Sequence, residues 1–317
     1  MSSPSRIMRK SIFTFLQNFH HLSTGPALLL LPFAASTLLS PPLVASSRLF
    51  PLLHGRLHSL FLAAGIPPQS ELFDILNLKL AQTLLSFSFS LPFSLSFLLL
   101  AKAAVVKLLH HNNNKQYSFF SLISTFYRLV ATQICNSLLI LATNATCFCL
   151  LAAAFNFSDA LSLSSPRFRL LLSATAAICY SIALANAYIV SGLALIIAAA
   201  DDSGAGAGGI SPILEACVVI RGRTSTALSL AVPMNMALAA VEALFQYRVF
   251  SPFSREMKVT PAMVTEAALV AYIYAVVLII DTIVGYVFLK SCREEQSDFC
   301  PHRIEFVKQG KGMESVV

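Results

Sequence analysis

Residues 170–200 form a run of thirty-one positions without a single Asp, Glu, Lys, Arg or His. At about 1.5 Å per residue a helix of that length exceeds the ~30 Å hydrocarbon core of a bilayer. A soluble chain would have to bury such a run on every side, and this chain has too little polar surface to do so. It is 56% hydrophobic and 12% charged, with a mean hydropathy of +0.73, whereas soluble domains are roughly 45–50% apolar and about 25% charged. The chain is therefore expected to live in a membrane.

Five further apolar segments, at about 26–47, 80–101, 131–155, 226–247 and 267–289, are separated by short charged stretches. Their length favours helices, so the expected fold is all-α, a polytopic membrane helical bundle of about six transmembrane helices. The expected organisation is a segment at 1–25, one membrane domain at 26–289 and a tail at 290–317. Ser86, Ser90 and Ser94 predict a small-residue packing stripe in the second segment. Ser173, Ala177, Ser181 and Ala185 do so in the fourth, and Ala227, Ala231, Asn235, Ala239 and Ala243 in the fifth. Pro92 is expected to bend the second helix.

The first 25 residues hold Arg6, Arg9, Lys10 and several serines, and the first acid is Glu71, a bias shared with organelle transit peptides. Met8, Ile12, Phe15, Leu16 and Phe19 recur at spacings of three and four. That pattern predicts an N-terminal amphipathic helix at the membrane interface. A net charge of +7 would suggest nucleic acid in a soluble protein, but here the cations sit between apolar runs, as orientation signals do, and no nucleic-acid partner is expected. With the N-terminus inside, cytoplasmic segments carry 14 Lys and Arg against 8 outside. The expectation is both termini in the cytoplasm, with the lipid bilayer and other membrane proteins as partners.

No motif supplies a catalytic residue, a cofactor or a metal site. His54 and His58 are four apart, but a metal needs three or four converging ligands, and the pair is expected to be a solvated loop. The seven cysteines show neither a disulfide framework nor zinc spacing; Cys292, beside the last segment, was weighed as a lipid-modified thiol and is expected to be idle. Gly204, Gly206, Gly208 and Gly209 lack the Gly-Lys-Ser/Thr ending of a phosphate loop and are expected to be a flexible linker. Asn144 and Asn156 begin glycosylation sequons, but the first falls mid-helix and the second at the membrane surface, so neither is expected to be an acceptor.

Four polar residues fall near the centres of their segments: Asn144, Asn186, Asn235 and Asp281. They are expected to form a mid-membrane polar layer. An intramembrane acid is costly and needs a partner or a proton, so Asp281 is either interhelical glue with the three amides or a proton, ion or solute site.

The stretch 209–223 has the most distinctive local pattern. Ser211 and Pro212 predict a helix start, Ile213, Cys217 and Ile220 share a face, and Arg221-Gly222-Arg223 closes the helix with charge suited to its dipole. A short interfacial helix is expected, with Arg221 and Arg223 at the headgroups. This segment, together with the hydropathy layout, resembles a plant family of uncharacterised multi-pass transmembrane proteins of about six spans. The resemblance implies an all-helical membrane protein and brings no activity, cofactor or catalytic residue. The leading expectation is a non-enzymatic protein of an endomembrane or the plasma membrane, with the plastid envelope as the alternative compartment. The alternative activity is a small-solute or proton-coupled transporter built on Asp281.

Overall fold

The computed structural model describes residues 3–63, 71–110, 119–160, 166–201, 208–256 and 260–299. Among them there is no strand. The helices are α1 (Pro4–Gln17), α2 (Phe19–Ser46), α3 (Leu49–Ala63), α4 (Glu71–Phe93), α5 (Leu99–His110), α6 (Phe119–Ala160), α7 (Pro166–Ala200), α8 (Ile210–Ile220), α9 (Thr224–Phe245), α10 (Ser251–Glu256) and α11 (Pro261–Phe299). Single π turns at Ser94–Leu98 and Gln246–Phe250 join α4 to α5 and α9 to α10 without breaking the helical path. Among the described residues six stretches are long and apolar enough to cross a membrane: Phe19–Pro41, Leu80–His110, Thr125–Cys147, Leu171–Ala200, Thr224–Phe253 and Pro261–Glu295. This is an all-α integral membrane protein.

Each π turn lies near a proline. Pro252 has no N–H and its ring crowds the carbonyl four residues back, that of Arg248, which sits inside the Gln246–Phe250 turn. Ser94–Leu98 follows Pro92, whose carbonyl accepts the Ser96 hydroxyl at 2.7 Å. Four prolines also lie within α2 (Pro26, Pro32, Pro41 and Pro42), yet it stays helical from Phe19 to Ser46. The carbonyl of Thr37, which Pro41 cannot serve, accepts the Ser40 hydroxyl at 2.9 Å.

The chain divides into two compact units. The second comprises Asn18–Ala104 and Met234–Ile279. In it α2 packs on α3, α4 and the π turn that follows α4, burying Leu22, Ala27, Leu30, Ala34 and Leu38 at helical spacing. The helix begins at Phe19, seven residues before the expected start of the first segment. Asn77 of α4, fully buried, donates to the His54 carbonyl of α3 at 3.3 Å. His54 and His58 therefore belong to a packed helix rather than a solvated loop. Ser23 of α2 and Tyr272 of α11 share a hydroxyl contact, and Tyr274 donates to Glu242 of α9 at 3.1 Å.

The first unit comprises Met1–Gln17, Val105–Pro233 and Ile280–Val317. Its packing joins α6, α7 and α8. In α7 the eight residues Leu193–Ala200 are all buried, whereas Ala177 and Ser181 of the expected small-residue stripe are exposed. Gly285 of α11 lies so close to α7 that a Cβ there would strike Ile196 Cδ1. The helix α9 passes at Pro233 from this unit into the second, and its buried residues differ from the alanine stripe: Ala227 and Leu230 of the first unit and Met234, Val241 and Phe245 of the second are buried, while Asn235, Ala239 and Ala243 are exposed. In a bilayer the hydrophobic effect does not choose between apolar faces, so van der Waals packing decides which one turns inward. The helix α11 runs unbroken past residue 290 to Phe299, and the remainder of the expected tail lies outside the described residues.

Candidate functional site

Along α6, Thr125, Arg128, Thr132 and Asn136 recur at spacings of three and four and so share one face. Thr125, Thr132 and Asn136 are almost wholly buried, and the Arg128 side chain is 17% exposed. A polar face of this kind can be buried only if its groups find partners. Arg128 and Asn136 find partners for their terminal N–H groups across the antiparallel contact with α7, while Arg128 Nε and Asn136 Oδ1 stay without one. The Arg128 Nη2 donates to the main-chain carbonyl of Asp201 at 2.6 Å while Nη1 lies 3.7 Å from the Asp201 carboxylate. Asn136 Nδ2 donates to the Ser191 carbonyl at 3.0 Å, and Tyr180 donates its hydroxyl to Asn144 Oδ1 at 2.8 Å. The pairs descend α6 as they ascend α7: 128 with 201, 136 with 191, 144 with 180. They form a polar ladder about 24 Å long, most of the depth of a bilayer core.

Arg128 does two things at the top of the ladder. It neutralises Asp201, and it places a cation at the last carbonyls of α7, where the helix dipole favours positive charge. Beside it α8 is seated on α6 through two glycines. Gly208 approaches so closely that a Cβ would lie 2.8 Å from the Arg128 carbonyl oxygen, and the N–H of Gly209 donates to Thr132 Oγ1 at 3.1 Å. Gly209 adopts φ +96°, a left-handed conformation that disfavours any side chain. This end of the glycine run is therefore a fitted joint rather than a free linker; Gly204 and Gly206 lie outside the described residues. The helix starts at Ile210, with Gly209 in the capping position instead of Ser211. Pro212 falls in the first turn, where its missing N–H costs nothing.

The orientation of α8 also corrects the expected face. Ile213, Ala216 and Ile220 are buried with Pro212, while Cys217 points outward. The outer face carries Ile210, Leu214 and Val218, each more than 60% exposed, and ends at exposed Arg221. Two ion pairs hold the helix and the turn after it to α11: Arg293 to Glu215 and Arg223 to Glu295, both at 2.7 Å. Cys292 is buried, out of reach of a modifying enzyme in this conformation.

Of the four residues expected at mid-membrane, Asn144 joins the ladder through Tyr180, Asn186 is exposed on α7, Asn235 is exposed on α9, and Asp281 is half-buried on α11. Asn136, Ser191, Tyr180 and the Arg128–Asp201 pair were missed by sequence reasoning. The available signal was the recurrence of polar residues at 128, 132, 136 and 144 on one helix face. Among the described residues no three His, Cys, Asp or Glu side chains converge as metal ligands would.

A family model described as a domain of unknown function, DUF8558, matches residues 6–300, from the first turns of α1 to just past the end of α11. The chain belongs to the DUF8558 family. No curated protein and no solved structure is significantly similar to it. The family match spans both units, so the ladder, the α8 joint and the six apolar stretches all lie within the region shared by DUF8558 members.

Proposed function

We propose that this DUF8558 member is a six-span, non-enzymatic protein of a plant endomembrane or plasma membrane, with both termini cytoplasmic, acting through helix packing and contacts with lipid and membrane-protein partners. One observation carries the reading. Arg128 and Asn136 of α6 donate to main-chain carbonyls of Asp201 and Ser191 and Tyr180 of α7 donates to Asn144, while α8 turns its apolar face and Arg221 outward between two membrane-crossing stretches. Inward polarity of this kind fastens helices together, and an outward apolar face ending in a cation suits the boundary of acyl chains and headgroups.

The orientation is tested with single cysteines in a background cleared of native thiols. Asn113→Cys and Ser315→Cys are expected to resist an impermeant thiol reagent in intact cells, and Arg56→Cys to react. Labelling of Asn113→Cys and Ser315→Cys from outside would invert the topology. A second reading, a proton or small-solute pathway, draws support from Asp281, a half-buried acid inside a membrane-crossing stretch. In that reading Asn144, Asn186 and Asn235 serve the acid as a polar layer rather than as glue.

A further inference from the structure

The helix α1 turns Ile7, Ser11 and Phe15 inward, at i, i+4 and i+8, which fixes its rotation about its axis. The opposite arc is exposed and mixed. Arg6, Arg9 and Lys10 lie on its first half, and Ile12, Phe13 and Leu16 on its second, the last two 67% and 62% exposed. These six, all from the one helix, line a shallow groove open to solvent, at whose end lie the hydroxyls of Ser3 and Ser5, 3.3 Å apart. None of the three cations is paired with a carboxylate among the described residues, and the sequence has no acid before Glu71.

We propose that this groove binds an anionic phospholipid, with the headgroup phosphate held by Arg6, Arg9 and Lys10 and an acyl chain lying along Phe13 and Leu16. The inference rests on the membrane reading above and adds the lipid class. Three unpaired cations call for an anion, and arginine forks suit phosphate oxygens in particular. An acidic protein or a nucleic acid would satisfy the charge but leave Phe13 and Leu16 in water; a phospholipid satisfies both halves of the groove. Chain continuity supplies the location. The membrane-crossing stretch of α2 begins at Phe19, two residues after α1 ends at Gln17, so α1 is tethered within a turn of the bilayer surface. A basic first half and an apolar second half match a helix that runs from the headgroups toward the acyl boundary.

The test uses purified full-length protein, first shown to resist alkaline extraction from membranes. It is titrated with dioctanoyl phosphatidylglycerol, with dioctanoyl phosphatidylcholine and with glycerol phosphate. Phosphatidylglycerol is expected to bind at least tenfold tighter than either control, more weakly as salt rises. Arg6→Gln/Arg9→Gln/Lys10→Gln is expected to lose affinity for it by about a hundredfold, about fivefold per cation. Arg6→Lys/Arg9→Lys, which keeps the charges and loses the forks, is expected to fall between wild type and the Gln triple variant, and affinity as low as that variant's would overturn the role given to charge. Phe13→Ser/Leu16→Ser is expected to bring phosphatidylglycerol down to the level of glycerol phosphate. Equal binding of phosphatidylcholine, equal binding of glycerol phosphate by wild type, or a Gln triple variant that binds like wild type would each overturn the proposal. Release of the protein by alkaline extraction would overturn the membrane reading itself, whereas retention without the anionic preference defeats only this inference.

Discussion

Gly208→Ala is a small change with a large expected effect. The new Cβ would sit 2.8 Å from the carbonyl oxygen, 2.9 Å from the Cα and 3.2 Å from the carbonyl carbon of Arg128. All three are main-chain atoms of α6, so no flexible side chain can swing aside, and α8 must move off its seat. Overpacking of this kind costs about 1–3 kcal/mol. The displacement also strains the hydrogen bond from Gly209 N–H to Thr132 Oγ1, worth roughly 1 kcal/mol more. The expected loss is about 2–3 kcal/mol, or on the order of 5–10 °C in Tm by the scaling for chains of a few hundred residues. Gly192→Ala is the control: that glycine lies within α7, nothing stands within 4 Å of its Cβ position, and the change should stabilise by about 0.5–1 kcal/mol through helix propensity. Thr132→Val adds a second axis. It removes the acceptor of the same joint, so combined with Gly208→Ala it should cost less than the two single losses together. Circular dichroism melts in one detergent, with size-exclusion profiles after heating, give the comparison. If Gly208→Ala melts with or above Gly192→Ala, the close approach of α8 to α6 is wrong.

Asp281→Asn should keep fold and stability if the acid is glue, since an amide donates and accepts as a protonated acid does, while Asp281→Leu should lower Tm modestly. A stable Asn variant with a null cellular phenotype would refute glue and favour a proton-coupled site; one with wild-type function would remove the main ground for transport. In native protein a thiol reagent should modify exposed Cys217 well before buried Cys292, which should react only as the protein unfolds, and equal rates measured by peptide mapping would contradict the orientation of α8 and α11.

The six apolar stretches were legible in the sequence because bilayer crossing depends on composition averaged over about twenty residues, which survives errors in the position of any one of them. Helix faces were not legible to the same degree. In α8 Ile213, Ala216 and Ile220 face the protein and Ile210, Leu214 and Val218 face outward, and both sets are apolar, so hydropathy cannot choose between them. The same ambiguity put Asn235 on an expected packing stripe of α9, when the bulkier Leu230 and Met234 turn inward. For the ladder, the search for residues at segment midpoints found Asn144 and overlooked Asn136. Arg128 was counted only as a loop cation for orientation, although its helix carries it to the end of α7. Tyr180 and Ser191 have ordinary counterparts throughout apolar helices, and only the antiparallel pairing of α6 with α7 marks them out.

The joint at Gly209 has a counterpart at the far end of α8, where Gly222 adopts φ +82° and the N–H of Arg223 donates to the Ile220 carbonyl at 2.8 Å. Between these two left-handed corners the helix has a fixed number of residues and four commitments: an apolar face inward, an apolar face outward, Glu215 toward Arg293 and Arg223 toward Glu295. One residue added between the corners would turn everything after it by about 100° and break the later commitments together. Length, more than the identity of any apolar residue, is therefore the property that this stretch cannot surrender: it acts as a gauge that sets where α9 begins.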